Sequence, residues 1–225
     1  MVSQLQQRND YSFADYSNSC WLIDFASLDI SIVDTNGSVI GRPYLTTAID
    51  IYSQCCMGFF LSSKSPNYQA ITQALRHAIL LKRYDSEYNL RHEWRTYGIP
   101  VGLQINNSKL ANSYLLQDKL AQLGIRIYYP KTGSGLNNSF TEKLFSELNR
   151  YLSSDFLSNQ ISTDNNSFLT LEVLEKILVL YFVDNFNQQI HNDSSHQTRQ
   201  ERWQAGLNSA APKMIEENLL LTLLS

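Results

Sequence analysis

Cys20-Trp21-Leu22-Ile23-Asp24-Phe25-Ala26 is the stretch on which the fold turns. Trp21, Ile23 and Phe25 alternate with Leu22, Asp24 and Ala26, and period-two alternation marks a strand with two distinct faces. Asp24 falls in a polar phase between apolar neighbours. Outward from this strand, residues 28–33 form a second extended stretch, closed by the turn signal Asp34-Thr35-Asn36-Gly37. Residues 43–52 and 56–61 are rich in aromatic and β-branched side chains and read as two further strands joined by a tight connection. The first 60 residues are therefore expected to form an antiparallel meander.

Helical spacing takes over beyond residue 64. Ser65 suits an N-cap and Pro66 the first helical position, while Ile71, Leu75, Ala78 and Leu81 or Lys82 share one face. Residues 84–98 are polar and irregular or partly helical, and Gly98-Ile99-Pro100 breaks the pattern. A short apolar strand over 101–105 leads into Asn106-Asn107-Ser108. Residues 110–123 have helical periodicity with Gly124 as the stop. A fifth strand over 125–129 ends at Pro130, a Gly/Ser/Asn loop spans 131–138, and residues 140–152 are again helical. The order β-β-β-α-β-α-β-α predicts an α/β fold, a mixed five-stranded sheet with helices on both faces. The expected organisation is a leader over 1–19, a core over 20–152, a linker over 153–167, and a mostly helical extension over 168–225. That extension holds an amphipathic helix over 169–186 and a shorter one over 198–205. Its apolar end, 219–224, either docks on the core or marks where a further domain begins.

Composition is that of a globular chain, with 43% hydrophobic, 12% aromatic and 17% charged residues. No apolar run approaches the roughly 18 residues of a membrane span. The polar, Gln-rich start lacks the pattern of a signal peptide. Cys20, Cys55 and Cys56 are odd in number and form no CxxC pair, which points to thiols in a reducing compartment rather than zinc ligands. The net charge of -3 conceals an asymmetry: residues 76–150 carry 11 basic and 6 acidic side chains, whereas both flanks are acidic. A local basic zone can meet phosphates even when the total charge is negative.

Moving a phosphoryl group of DNA calls for two divalent metals about 3.5–4 Å apart. Mg²⁺ prefers carboxylate oxygens, so a compact solution is three acidic side chains from different elements meeting at one sheet edge. Asp24 in the first strand and Glu142 early in the last core helix are two candidates. The third should follow the fourth strand of the core, where the chain has Asn106.

These residues, with Trp21 and Asp24 in a first strand, then Gly41-Arg42-Pro43-Tyr44-Leu45-Thr46-Thr47-Ala48-Ile49-Asp50-Ile51-Tyr52-Ser53, then Tyr97-Gly98-Ile99-Pro100, resemble the DDE integrase/transposase superfamily. The resemblance is strongest to the bacterial TnsB group and the phage Mu-type transposases. The family's acidic residue and its glutamate are separated by 35 residues, and 35 residues separate Asn106 from Glu142 here. The likeness covers roughly 20–152 and continues more loosely through 181–187 and Arg202-Trp203-Gln204-Ala205-Gly206.

The resemblance implies an RNase H-like catalytic core that carries out Mg²⁺- or Mn²⁺-dependent DNA strand transfer. It implies Asp24 as the metal-bridging carboxylate, Glu142 as holder of one metal, and Asn106 where the family has its second catalytic Asp. A neutral amide there weakens metal binding and is expected to cost around 10³-fold in rate, about 4 kcal/mol in the barrier. Gln54 also departs from the family, which has Arg after Tyr-Ser, and Ser108 from its Asp-Asn-Gly. The end-reading helix-turn-helix modules and most of the C-terminal β-barrel are expected to be missing. The implied partners are DNA (transposon ends and target), other transposase subunits and a transposition ATPase regulator, with no membrane. The implied location is cytoplasmic and nucleoid-associated.

The alternative function is a non-catalytic DNA-binding or transposase-assembly protein. Lys131, Lys143 and Arg150 flank the proposed site and either contact phosphate or are solvated helix charges. Asp50 reads as a hydrogen-bond partner at a hairpin, and His191 and His196 as exposed side chains.

Overall fold

The computed structural model describes residues 14–129, 136–153, 168–191, 196–207 and 211–225, with 136–138 as backbone only. The expected leader up to residue 13, the linker over 154–167 and Lys131 lie outside the described residues.

The expected mixed sheet is present. Strands β1 (Cys20–Ser27), β4 (Tyr44–Asp50), β5 (Cys56–Ser62), β6 (Gly102–Ile105) and β7 (Arg126–Tyr128) form a five-stranded sheet in the order β5-β4-β1-β6-β7. β1 pairs antiparallel with β4 and parallel with β6, and β6 pairs parallel with β7. The second extended stretch departs from the meander. Only β2 (Ile32–Val33) is strand, and it pairs with β3 (Val39–Gly41) in a separate small hairpin. Arg42 locks the base of this hairpin through Leu28 O and an ion pair with Asp29.

Helix α1 (Tyr68–Ile79) begins two residues later than Pro66 suggests, because Asn67 Oδ1 accepts from Ala70 N at 3.0 Å and outcompetes Ser65 as the cap. The helix expected over 110–123 is divided into α2 (Ser108–Ala111) and α3 (Tyr114–Gln122), each with its own cap residue, and Gly124 stops it at φ +72°. α4 is Leu136–Ser153 and α5 is Leu171–Leu180. α5 runs on through a π-helical turn over Tyr181–Asn185, so the expected long helix is continuous in direction but not in hydrogen bonding. α6 (Arg199–Gly206) opens with a capping box between Thr198 and Glu201, and α7 is Glu217–Leu224.

Alternation along β1 sends Trp21 and Ile23 into one core and turns Leu22 and Asp24 toward the other face. The first core holds Ile71, Leu75 and Ala78 of α1, Leu116 and Leu120 of α3, and Trp203. It also takes Leu220 and Leu224, so the apolar end of the chain docks on α1 and α3. The second core packs Leu144, Leu148 and Leu152 of α4 and Leu174, Ile177 and Leu178 of α5 against Leu45 and Ile49. Each such leucine contributes about 1.5–3 kcal/mol by burial. Among the described residues no helix is long and apolar enough to cross a membrane.

β5 is an outer strand, and its free backbone groups are covered by side chains. Asn187 accepts from Cys56 N at 2.9 Å and donates to Cys56 O at 3.1 Å, as a neighbouring strand would. Trp94 Nε1 donates to the same carbonyl, and Phe59 N donates to His77 Nδ1 at 3.0 Å. His77 Nδ1 also lies 3.0 Å from Phe59 O, and Nε2 lies 2.9 Å from Tyr84 Oη. Lys82 Nζ closes the end of α1 by donating to Ala78 O, Leu80 O and Thr96 O.

The motif at 202–206 is a clamp. Arg202 Nε donates to Tyr52 O and its guanidinium lies over the Tyr52 ring, while Trp203 O accepts from Ser17 Oγ. A Cβ on Gly206 would lie 2.2 Å from Ser17 Oγ and 2.6 Å from the Tyr52 ring. Gly206→Ala should therefore destabilise the chain by about 1–3 kcal/mol, read as a lower urea midpoint; an unchanged midpoint would show that α6 does not need this close approach.

Burial lowers His77 from its ordinary 6.5 to about 3, with the Lys82 charge adding to the effect. The folded state thus keeps this ring neutral where the unfolded chain protonates it. Its stabilising contribution is complete above pH 6.5 and is lost as pH falls toward 3, at up to about 1.4 kcal/mol per pH unit. NMR of the folded chain should show no titration of the His77 ring between pH 8 and 4, and a midpoint near 6 would contradict the buried, neutral assignment.

Candidate active site

Parallel pairing of β1 with β6 sets the geometry. Ile23 pairs with Ile105, and Asn106 N donates to Ile23 O at 2.9 Å, extending the ladder by one step. Residues 24 and 106 are therefore lateral neighbours, Asp24 in the middle of β1 and Asn106 just past the C-terminal end of β6. Their side chains meet: Asn106 Nδ2 donates to Asp24 Oδ2 at 2.9 Å. The other carboxylate oxygen of Asp24 accepts from Phe25 N at 2.8 Å. Asp24 is 9% exposed, so these bonds form in a largely desolvated setting where they count for more than in water.

Glu142 is not part of this contact. It lies on α4, one residue past the buried Thr141, with its side chain in solvent and no hydrogen bond or ion pair to any described residue. Its helix does lie against β1. Residues 142, 145 and 149 follow one line along α4, and Asn149 Oδ1 accepts from Asp29 N at 2.9 Å, just beyond the end of β1. The structure thus joins two of the three expected residues directly and carries the third on a helix braced against the same strand.

Lys143 is exposed and 3.8 Å from Glu147, one turn on, an arrangement that partly neutralises it. Arg150 is exposed two turns further along α4. Asp50 behaves as a hairpin partner: fully buried, it accepts from Asn18 N, Ser53 N and Ser53 Oγ. Burial raises its carboxyl to about 6, against the pull of those donors and of Arg202. His196 is exposed and His191 half-buried.

One neighbour of the site was not singled out in the sequence. Thr47 pairs with Asp24 across β1 and β4 and is fully buried, and its Oγ1 has no hydrogen-bond partner among the described residues. Thr47, Asp24 and Asn106 form a row across three strands. Only the strand register reveals it, since a threonine in a strand carries no signal by itself.

Two ionised carboxylates at 2.9 Å repel and need a cation or a shared proton. A carboxylate and an amide at that distance attract and need neither. Among the described residues no three His, Cys, Asp or Glu side chains group as a metal site. The donors at hand are one desolvated carboxylate, an amide already bonded to it, and one solvated carboxylate. This set does not match a pair of dications, whose four positive charges call for more anionic oxygens than two carboxylates supply.

A family model of the TnsB C-terminal domain matches residues 22–156, a span that includes all three positions. The chain is 26% identical over 187 residues to the transposase for transposon Tn552 of Staphylococcus aureus, a match over 83% of this chain and 37% of that protein. It is 26% identical over 133 residues to the transposon Tn7 transposition protein TnsB of Escherichia coli, over 56% of this chain and 19% of that protein. The chain therefore spans less than two fifths of the length of either relative. Among solved structures, the simian T-cell lymphotropic virus intasome in complex with PP2A regulatory subunit B56 gamma gives a TM-score of 0.55 at 15% identity, over 90% of this chain and 59% of that one. The HTLV-2 integrase catalytic core domain in complex with magnesium gives 0.50 at 17% identity, over 83% and 97%. At these identities the likeness shows the fold, which is RNase H-like.

Asn106→Asp should lower the melting temperature in EDTA at pH 7, because it replaces the donor to Asp24 with a like charge, a change of about 1–3 kcal/mol. Acidification, which allows a shared proton, should shrink the loss. A variant as stable as the parent at neutral pH in EDTA would show that residues 24 and 106 are not in contact.

Proposed function

Since the chain belongs to the TnsB C-terminal domain family, and so to the DDE transposase/integrase superfamily, we propose that it is a transposase catalytic core impaired in DNA strand transfer. The observation that carries this reading is the hydrogen bond from Asn106 Nδ2 to Asp24 Oδ2. It gives the buried carboxylate a neutral partner at the position where the family places a second carboxylate. The pair is content without a cation, so Mg²⁺ or Mn²⁺ has less to gain by binding. Asp24 and Glu142 remain as the two anionic donors, and a single hydrated Mg²⁺ held weakly is the most they support. No catalytic step through a metal pair is assigned to this donor set.

The alternative role, a non-catalytic protein that binds DNA or joins a transposase assembly, follows from what survives the loss. The fold, the clamp at 202–206 and the basic middle third do not depend on the metal. Arg150 is exposed on α4, the helix that carries Glu142, and is proposed to meet phosphates, while Lys143 is partly spent on Glu147. Lys131 belongs to the same proposal through its place in the sequence alone. Transposon ends and target DNA are the proposed ligands, and other transposase subunits or a transposition ATPase regulator the proposed protein partners. The three free, buried cysteines suit a reducing cytoplasm.

Calorimetric titration with Mn²⁺, run beside a strand-transfer assay on a transposon-end duplex, tests the reading. The unmodified chain should show no saturable two-site binding and negligible strand transfer, and Asn106→Asp should bind Mn²⁺ at least about ten-fold more tightly, one added charge in a desolvated site exceeding 1.4 kcal/mol. Tight binding of two Mn²⁺ by the unmodified chain would refute the impairment. Salt-dependent gel shifts in EDTA separate a DNA-binding relative from one that acts through protein contacts.

A further inference from the structure

The chain segment that leaves α1 at Leu80 and runs to β6 carries a surface that the proposed function does not use. Three cavities of about 790, 390 and 470 Å³ open along this segment, and Leu81 and Arg83 line all three. Leu81 is 51% exposed, and Met214 in the third cavity is 65% exposed. Large apolar side chains held in solvent at the meeting point of several hollows are characteristic of a recognition surface.

The charges around these hollows are unequal in their commitments. Lys82 spends its donors on three backbone carbonyls, and Arg95 pairs with Glu93 at 3.0 Å. Asp85 caps the short 3-10 turn over Ser86–Tyr88 by accepting from Glu87 N. Glu175 in the 390 Å³ cavity and Glu217 in the 470 Å³ cavity are exposed, and partial desolvation, with the Glu172 charge adding to it, raises the Glu175 carboxyl toward the neutral form. Arg76 and Arg83, both lining the 390 Å³ cavity, have no hydrogen-bond or ion-pair partner for their guanidinium groups among the described residues. Two uncommitted guanidiniums beside exposed Leu81 and Met214 present a cationic and an apolar half side by side.

We propose that this cleft docks a partner protein through an acidic peptide segment that bears a large apolar side chain. The carboxylates meet Arg76 and Arg83, for which a planar fork is well suited, and the apolar side chain covers Leu81 between Tyr97 and Met214. A nucleic acid fits less well, because phosphates satisfy the arginines but leave Leu81 and Met214 in water. None of the three cavities is lined by residues 24, 106 or 142, and β4 separates β5, which lines the 390 Å³ cavity, from Asp24 on β1, so the surface can be occupied whether or not the active edge holds metal or DNA. The inference therefore stands apart from the proposed impairment.

Panning a displayed library of random twelve-residue peptides on the full chain tests it. Enriched peptides should contain at least two acidic residues and one Leu, Ile, Phe or Met. Labelled copies of them should lose at least about ten-fold in affinity for Arg83→Glu and for Leu81→Ser, and none for Arg126→Glu on β7. Both altered cleft positions are solvent-exposed, and melting curves check that the variants remain folded. Failure to enrich any peptide, enrichment without acidic residues, or binding indifferent to Arg83→Glu would each overturn the proposal. So would a 30-base-pair duplex that binds the chain, depends on Arg83 and ignores Leu81→Ser, an outcome that assigns the cleft to nucleic acid.

Discussion

Parallel pairing of β1 with β6 is the constraint from which the rest of the molecule follows. It runs from Cys20 beside Gly102 to Ile23 beside Ile105, and the backbone bond from Asn106 to Ile23 carries it one residue further. A parallel ladder in register brings the C-terminal end of β6 level with the middle of β1. A polar side chain that follows β6 then stands next to Asp24. The chain uses this to place an amide against a carboxylate, a pair that one hydrogen bond joins without a cation.

The second half of the chain closes the sheet rather than hanging from it. α5 and its π-helical turn form one wall of the second core, and Trp203, Leu220 and Leu224 complete the first. The joints are polar contacts to backbone. Asn187 pairs with Cys56 as a strand would, Arg202 reaches Tyr52 O, and Asp184 accepts from the backbone of Arg91 and His92. Cations in these joints are held by carbonyls and ring faces: Arg199 donates to Phe186 O and lies 4.1 Å from the ring centre of Phe186, and Lys82 lies over Trp94. Such contacts satisfy buried charge without a carboxylate partner. They tie the loop between α1 and β6 to both sides, which is why a stretch with little regular structure is held firmly enough to frame a cleft.

Much of this was legible before any coordinates. Alternation in 20–26, the paired strands over 43–52 and 56–61, and the helical spacing around Ile71 and Leu75 specify elements because each face of a strand or helix meets a different environment. The 35-residue interval between Asn106 and Glu142 pointed to the site positions, and the Asp50 hairpin was readable because Asp and Ser near a turn bond to local backbone. The misses share a cause. Residues 28–33 look like an extended strand of the meander, yet only Ile32 and Val33 form one, and they pair with 39–41 in a separate hairpin, since register and partner choice depend on tertiary setting. Ser65 loses the cap to Asn67 because competing caps two residues apart differ only in tertiary setting. Thr47 and the uncommitted Arg76 and Arg83 carry no local mark at all.

By itself, the sequence determined the fold class and most of the order of the elements, because periodicity, spacing and side-chain chemistry are properties of neighbours along the chain. Tertiary structure alone decided that Asn106 donates to Asp24 while Glu142 points into solvent, that the C-terminal helices complete both cores, and that Leu81 and Arg83 stand at the junction of three hollows. Those outcomes depend on which distant groups are brought together and which are left without a partner, and a linear pattern does not encode distances between residues far apart in the chain.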